Sequence, residues 1–206
     1  MKNPEDLKDV AHLYAESLRQ HGPIAMAVGW RDEASHRLRF AKLAEVIGSD
    51  REPITVNDLG CGYGAFWEYL TEHGVPITLY RGYDVSKDML DEAKRRVRAH
   101  NAEFVLGSRL DSPADYSFAS GTFNVRLTAS EDDWLKHVLG TLDNMHEMSR
   151  RGLAFNMPTS YVDWRDDKLF YGDPAFFFDH CKQRYSKYVS LLHDYPLWEW
   201  TILVRK

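Results

Sequence analysis

Residues 56–64 read Val-Asn-Asp-Leu-Gly-Cys-Gly-Tyr-Gly, the end of a short β-rich run followed by three alternating glycines. The β-rich segment 54–59 predicts a strand, and the segment 65–73 after the glycines predicts a helix. Glycine is needed where a turn takes unusual backbone angles or where a ligand must approach the main chain. In a doubly wound sheet the first strand-to-helix turn lies at the carboxyl edge, where cofactors bind. The stretch therefore predicts an α/β fold with a ligand site beside Gly60 and Gly62.

The alternation of strand and helix continues after this turn. Strands are predicted at 78–83, 103–106, 116–119 and 152–155, and helices at 86–99, 131–148 and 174–185. Strands separated by helices imply a parallel sheet covered on both faces. Two last strands, 188–193 and 199–204, are joined by only 194–198, which is too short for a parallel crossover. The prediction is an α/β fold with a doubly wound, mostly parallel seven-stranded sheet and an antiparallel C-terminal hairpin.

Two extra N-terminal helices are predicted before the sheet. The first is capped by Asn3 with Pro4 in its first turn, and it ends at Gly22. The second starts at Asp32 and ends before Gly48, and the segment 22–31 between the two helices is predicted to be a loop. The chain is long enough for one well-buried domain, 1–206, in which 1–49 form a helical cap and 50–206 a Rossmann-like core.

Composition narrows the range of partners. The chain has 206 residues and a net charge of −5, and its only dense basic cluster is at 94–98, interleaved with apolar residues as on a solvated helix face. Nucleic acid is therefore disfavoured as a partner, and no apolar run is long enough for a membrane span. The two cysteines suggest no disulfide framework, so we expect a cytoplasmic protein, monomeric or homodimeric.

The glycine turn alone leaves two cofactor classes open. The run Gly60-Cys-Gly-Tyr-Gly-Ala65 also satisfies the dinucleotide fingerprint that accepts alanine at its last position. Asp84 ends the second predicted strand, where an acidic residue binds ribose hydroxyls in either class. A nicotinamide oxidoreductase is thus one hypothesis.

Three features favour a methyl donor. Asp58 precedes Gly60 by two residues, giving Asp-x-Gly-x-Gly-x-Gly, and Asp84-Val-Ser-Lys-Asp-Met-Leu90 follows the second strand. In these motifs the chain resembles the class I S-adenosylmethionine-dependent methyltransferases, and its C-terminal hairpin is similar to that family's antiparallel last strand. The resemblance covers roughly 54–206.

The resemblance implies S-adenosylmethionine as cofactor and S-adenosylhomocysteine as product. It places Asp58 at the amino-acid end of the cofactor, Asp84 on the ribose and Met89 near the adenine. The chain departs from the family after the third strand, where Gly107-Ser-Arg109 stands in place of a common acidic residue. The full set of expected cofactor-binding residues is Asp58, Gly60, Cys61, Gly62, Asp84, Val85, Met89, Ser108 and Ser120. Cys61 is read as a small buried residue and not as a nucleophile.

Acceptor-side candidates come from loops after the fourth and fifth strands. They are Phe123 and Asn124, Asn156 and Tyr161, with Trp30 as an aromatic wall. His193, at the end of a predicted strand, is the candidate general base, against the alternative that it is structural. Arg37 or Arg39 could approach the cofactor carboxylate, but solvent exposure is expected for each. No metal site is predicted, because no histidines and carboxylates cluster at ligand spacing.

The leading hypothesis is a methyltransferase that transfers a methyl group to an oxygen or nitrogen of a small-molecule acceptor. Alignment and desolvation of the acceptor supply much of the acceleration in such a reaction, so no catalytic signature is required. The alternatives are an RNA or protein methyltransferase, and a non-catalytic protein that binds S-adenosylmethionine or S-adenosylhomocysteine.

Overall fold

The structure is a computed structural model that describes residues 7–49 and 51–206. Its helices are α1 (Lys8–His21), α2 (Glu33–Ala44), α3 (Ala65–Glu72), α4 (Lys87–Arg96), α5 (Glu131–Glu147) and α6 (Pro174–Arg184). Its strands are β1 (Ile54–Leu59), β2 (Ile77–Asp84), β3 (Ala102–Leu106), β4 (Ala114–Ala119), β5 (Ser149–Pro158), β6 (Tyr188–Leu192) and β7 (Glu199–Arg205).

The seven strands form one sheet in the order β3-β2-β1-β4-β5-β7-β6. Strands β1 to β5 pair in parallel, whereas β7 pairs antiparallel with both β5 and β6. The order reverses direction between β1 and β4, which is the switch point where doubly wound sheets bind ligands. The predicted α/β class, the strand count and the C-terminal hairpin are confirmed.

Three helices start at short polar residues that cap them. The Asp32 carboxylate accepts a hydrogen bond of 2.7 Å from the amide of Ser35 at the start of α2. Ser86 caps α4 by accepting from the amide of Met89, and Asp173 caps α6, with proline in the first turn. Short polar side chains at these positions satisfy amides that have no partner within the helix.

Two apolar layers cover the two faces of the sheet. One face packs on α5 and α6, through residues such as Val138 and Phe177, and the other packs on α2 and α3, through Phe40 and Phe66. Strand β5 serves both layers: Phe155 belongs to the first and Ala154 to the second. This alternation follows from the two-residue period of a strand.

The N-terminal segment packs over the carboxyl edge of the sheet. Helix α1 contacts α4, and α2 contacts α3, β5 and β7. The segment predicted as a loop contains a 3₁₀ turn at Ala25–Val28, which buries Ala25 and Ala27 and ends at Gly29 with a φ of 82°. Helix α1 ends at Gly22 as predicted. The cap predicted at Asn3 and Pro4 lies outside the described residues.

The surface of the described chain carries the basic cluster as expected. Lys94, Arg95, Arg96 and Arg98 are exposed, while Val97 between them is buried. Cys61 and Cys181 are both buried and free. Across 7–49 and 51–206, no helix combines the length and apolarity that crossing a bilayer requires.

Candidate cofactor and acceptor cavity

A cavity opens where the carboxyl ends of β1, β2 and β4 meet. Together with its open mouth, it contains about 980 Å³ of space that no protein atom occupies. Residues of α1, the 3₁₀ turn and α2 form its outer wall. Eleven of the residues selected from the sequence line it: Trp30, Asp58, Gly60, Cys61, Gly62, Asp84, Val85, Met89, Ser108, Ser120 and Phe123.

The turn after β1 has the backbone conformation that requires glycine. Gly60 has a φ of 75°, and a Cβ built there would lie 2.5 Å from Oγ1 of Thr122. That hydroxyl donates a 2.7 Å hydrogen bond to the carbonyl of Leu59, so it is held in place. The amides of Gly60 and Cys61 both donate to the carbonyl of Tyr83, at 2.7 and 3.0 Å. The turn is therefore fixed between the ends of β2 and β4.

The Asp84 carboxylate is oriented by main-chain amides. One oxygen accepts from the amide of Gly62 at 2.9 Å, and the other accepts from the amide of Ser86 at 2.8 Å. Because each carboxylate oxygen has two lone pairs, both can still accept from a ligand in the cavity. Burial raises the pKa of Asp84, and amide hydrogen bonds from Ser86, Gly62 and Val85 oppose that shift.

Asp58 is the second carboxyl group of the cavity wall. Its side chain is buried and accepts a short hydrogen bond from the Tyr80 hydroxyl. Burial raises the pKa of Asp58 to about 7, the Tyr80 hydrogen bond opposes this, and nearby Asp84 adds to it. Burial also raises the pKa of the Cys61 thiol well above its usual value, which suits a packed side chain better than a nucleophile.

The N-terminal wall brings Tyr14 and Trp30 to the cavity. Burial and the charge of Asp84 together raise the pKa of Tyr14 to about 12, so its hydroxyl stays protonated. Trp30 packs directly on the loop after β4, since a Cβ at Gly121 would lie 2.4 Å from its ring. Helix α1 and the segment before α2 therefore form part of the cavity wall.

The expectation of solvent exposure was wrong for Arg39. Its side chain is buried, stacks 3.7 Å from the centroid of the Trp30 ring and pairs with Glu199 at the start of β7. A guanidinium removed from water needs such a partner and stacks well on an aromatic ring. Arg37 is more exposed and pairs with Glu72 at 2.6 Å. Neither arginine is among the residues that line the cavity.

Four selected residues do not line the cavity. Asn156 is buried behind it, where its side-chain oxygen accepts a 2.7 Å hydrogen bond from the amide of Gly121. Asn124 is also buried beside Gly121. These two asparagines therefore support the loop after β4 and do not face the ligand space.

His193 and Tyr161 are exposed and stack on each other, with ring centroids 5.9 Å apart. His193 follows β6, the edge strand, which lies three positions from β4 in the sheet. At the usual strand spacing this is a lateral separation of about 14 Å. The structure thus does not bring His193 or Tyr161 together with the cavity.

Several lining residues were not selected from the sequence. They include Tyr14 on α1, His36 and Phe40 on α2, and His137 on α5. In the sequence, Tyr14 and Phe40 fit the apolar spacing of their helices and were read as core. Only the placement of both helices over the sheet edge distinguishes a lining residue from a core residue.

Comparisons with known proteins agree with this arrangement. A family model described as a methyltransferase domain matches residues 56–152, which include the glycine turn and Asp84. A Mycobacterium tuberculosis protein, named "Putative methyltransferase Rv1506c", is 52% identical over 159 residues, which is 75% of this chain and 95% of that protein.

The chain belongs to the class I S-adenosylmethionine-dependent methyltransferases.

Solved structures of methyltransferases have the same fold as this chain. A S-adenosylmethionine-dependent methyltransferase of Leishmania major has a TM-score of 0.67 at 15% identity, covering 100% of this chain and 87% of that one. The N-methyltransferase NodS of Bradyrhizobium japonicum, solved with S-adenosylhomocysteine, has a TM-score of 0.66 at 14% identity, covering 94% and 98%. At these identities the likeness concerns the fold.

Proposed function

We propose that this chain binds S-adenosylmethionine in the cavity and transfers its methyl group to an oxygen or nitrogen of a small-molecule acceptor. The observation that carries the proposal is the link between Gly62 and Asp84: the glycine turn presents an amide that orients the carboxylate within the same cavity. A glycine turn beside an oriented carboxylate suits a ligand that joins a nucleoside to a polar chain.

The residues present fit the methyl donor. Asp84 has lone pairs free for ribose hydroxyls, and Met89 offers a buried apolar surface for the adenine. Asp58 lies near the end of β1, just before the glycine turn. There its carboxyl group can accept a hydrogen bond from the donor's amino group. The Ser120 hydroxyl is buried without a hydrogen-bond partner in the protein, so it can bond to a ligand. Gly60, Cys61, Gly62, Val85 and Ser108 complete the proposed donor site.

The protein's contribution to methyl transfer is position and exclusion of water. When bound, S-adenosylmethionine supplies a methyl group on a sulfonium, whose leaving group is already good. The side chains of α1, α2 and the 3₁₀ turn cover part of the carboxyl edge of the sheet and so reduce the contact of the cavity with solvent. This favours alignment of the two reactants and partial desolvation of the attacking atom.

The enclosing N-terminal wall also supports a small acceptor. Polypeptide or RNA methylation needs a surface groove that admits a polymer, and an RNA groove would carry lysines and arginines. No lysine or arginine of the described chain lines the cavity. A small metabolite or biosynthetic intermediate fits these conditions better than a polymer.

Calorimetry tests the donor site. We expect S-adenosylmethionine and S-adenosylhomocysteine to bind with micromolar affinity and NAD not to bind. Asp84→Asn removes charged hydrogen bonds worth about 1.5–3 kcal/mol, so both affinities should fall roughly 10- to 150-fold. The matched control is Asp91→Asn, an exposed carboxylate on α4 paired with Lys87, which should leave both affinities unchanged.

Incubation with isotopically labelled donor tests the acceptor class. Label should enter the metabolite fraction of cell extract and not its protein or RNA. Label in protein or RNA would replace the small-molecule proposal by the corresponding alternative. Donor binding without label in any fraction would favour a non-catalytic binding protein, and binding of NAD alone would overturn the proposal.

A further inference from the structure

The cavity has an aromatic wall that the proposed donor site does not use. Trp30, His36 and Phe40 succeed one another along it, with ring centroids 6.2 Å apart for the first pair and 4.3 Å for the second. The edge of Tyr63 faces His36 at 6.4 Å. All four residues line the cavity and are at least nine-tenths buried. We name Trp30, His36 and Phe40 the aromatic wall.

His36 is the polar exception in this wall. Its side chain is 4% exposed, and Nδ1 has no hydrogen-bond partner in the protein. A buried polar atom without a partner destabilises the protein, and a bound ligand that supplies the hydrogen bond can recover that loss. Burial, with the nearby charges of Arg39 and Arg37, lowers the pKa of His36 to about 3. The imidazole is therefore neutral at physiological pH, and in the tautomer with its proton on Nε2 the Nδ1 atom accepts a hydrogen bond.

The charges around the cavity limit the acceptor further. The carboxyl groups of Asp58 and Asp84 line it, whereas no lysine or arginine of the described residues does. An anionic acceptor would find no lysine or arginine to pair with in the cavity. The ring of Trp30 cannot also serve a cationic acceptor, because the guanidinium of Arg39 already covers it at 3.7 Å.

We propose that the aromatic wall binds the methyl acceptor, and that this acceptor is an uncharged molecule with an aromatic ring and a hydroxyl group that donates a hydrogen bond to His36. The inference rests on the proposed function, because it assigns the acceptor of that same site. Ring-on-ring contacts position the body of the acceptor, and the hydrogen bond to His36 fixes its rotation. His36 is a binding residue here, and no proton transfer is assigned to it.

Three probes of similar size and different charge test the acceptor class. Phenol is neutral near pH 7.5, benzoate is anionic and benzylamine is cationic. Binding of each probe is measured by ligand-observed NMR and calorimetry with protein saturated with S-adenosylhomocysteine. We expect phenol to bind at least tenfold more tightly than the other two. Comparable or tighter binding of benzoate or benzylamine, or no binding of phenol, would overturn the proposal.

Two substitutions test the role of His36. His36→Phe keeps an aromatic ring but removes the hydrogen-bond acceptor, so phenol affinity should fall about tenfold, whereas His36→Gln, which retains an acceptor, should lose less. The control is His73→Phe, because His73 is exposed and stacks on Tyr69 outside the cavity. This substitution should leave the affinity for phenol unchanged. S-adenosylhomocysteine affinity should stay within twofold in every variant.

A third measurement needs no substitution. In protein labelled with ¹⁵N-histidine, phenol should shift the Nδ1 resonance of one histidine, and that resonance should be missing from the spectrum of His36→Phe. Unchanged phenol affinity in His36→Phe, or no histidine shift, would refute the assignment. Loss of S-adenosylhomocysteine affinity in His36→Phe would place His36 in the donor site instead. Failure of the unaltered protein to bind S-adenosylhomocysteine would, separately, refute the proposed function.

Discussion

Arg39 and Glu199, 160 positions apart in the chain, join in a buried two-point ion pair with hydrogen bonds of 2.8 and 2.6 Å. Arg39 lies on α2 and Glu199 begins β7, so the pair attaches the N-terminal cap to the last strand of the sheet. The arginine also stacks on Trp30, and Asn156 contacts the glutamate from β5. The position of the Trp30 ring in the cavity therefore depends on residues from both ends of the chain.

Removing the charge of Glu199 should destabilise the protein strongly. Glu199→Gln leaves a buried guanidinium without a counter-charge, which costs about 3–5 kcal/mol. For a chain of this length the melting temperature should fall by about 6–20 °C. The control is Glu72→Gln, which breaks the more exposed pair with Arg37 and should cost less than about 1 kcal/mol. Equal losses of unfolding free energy in the two variants would show that the buried ion pair stabilises the protein no more than the exposed one.

The turn after β1 should not tolerate a side chain at residue 60. Gly60→Ala combines a φ of 75° with a Cβ only 2.5 Å from Oγ1 of Thr122. Gly48→Ala is the matched control, because Gly48 has a φ of 65° and no atom within 4 Å of an added Cβ. Both variants should lose about 1–2 kcal/mol of unfolding free energy from backbone strain. Only Gly60→Ala should also lose S-adenosylmethionine affinity, by tenfold or more in calorimetry; unchanged affinity would contradict the proposed donor site.

A similar comparison tests the contact between Trp30 and the loop after β4. Gly121→Ala places a Cβ 2.4 Å from the Trp30 ring, at a φ of 68°, whereas Gly74 has a φ of 70° and open space around it. The strain of the backbone should be the same in both alanine variants. Overpacking should make Gly121→Ala about 1–3 kcal/mol less stable than Gly74→Ala in urea denaturation. If the two curves coincide, Trp30 does not pack closely on Gly121 in solution.

Stability should depend on pH through Asp58. Its pKa is about 7 in the folded protein and about 4 in an unfolded chain. Between these values the folded protein keeps a proton that the unfolded chain has lost, so stability from this group falls as pH rises and levels off above pH 7. Relative to Asp58→Asn, the wild-type free energy of unfolding should fall by roughly 1 kcal/mol per pH unit between pH 5 and 6.

Tyr80→Phe provides the control for this pH dependence. The Tyr80 hydroxyl stabilises the charged carboxylate, so its removal should raise the pKa of Asp58 further and extend the falling region to higher pH. Urea denaturation at constant ionic strength measures all three proteins. A wild-type curve parallel to that of Asp58→Asn would mean that Asp58 titrates at its ordinary pKa.

Local features of the sequence were sufficient to predict most of the fold. Ser86 and Asp173 cap helices because their side chains bond to amides two or three residues away, an interaction that the sequence displays directly. The short connection 194–198 excludes a parallel crossover and so predicts the antiparallel pairing of β6 with β7. The 3₁₀ turn at Ala25–Val28 was missed because it lacks a long apolar repeat and depends on burial of its alanines.

The acceptor side depended on contacts between distant segments and was predicted less well. His193 ends a strand, as expected, but the position of β6 at the sheet edge separates it from the cavity. Arg39 was expected in solvent because its partner, Glu199, belongs to a strand far along the sequence. His36 has no sequence signal at all, since only the packing of α2 over the sheet edge makes it part of a cavity.

The attachment of Trp30 through Arg39 to Glu199 also constrains when the protein can first bind a ligand. Residue 199 is synthesised 169 positions after residue 30. Until β7 is released, the guanidinium that supports the Trp30 ring has no anion to hold it. The nascent chain therefore completes the support of the Trp30 ring only after β7 has emerged from the ribosome.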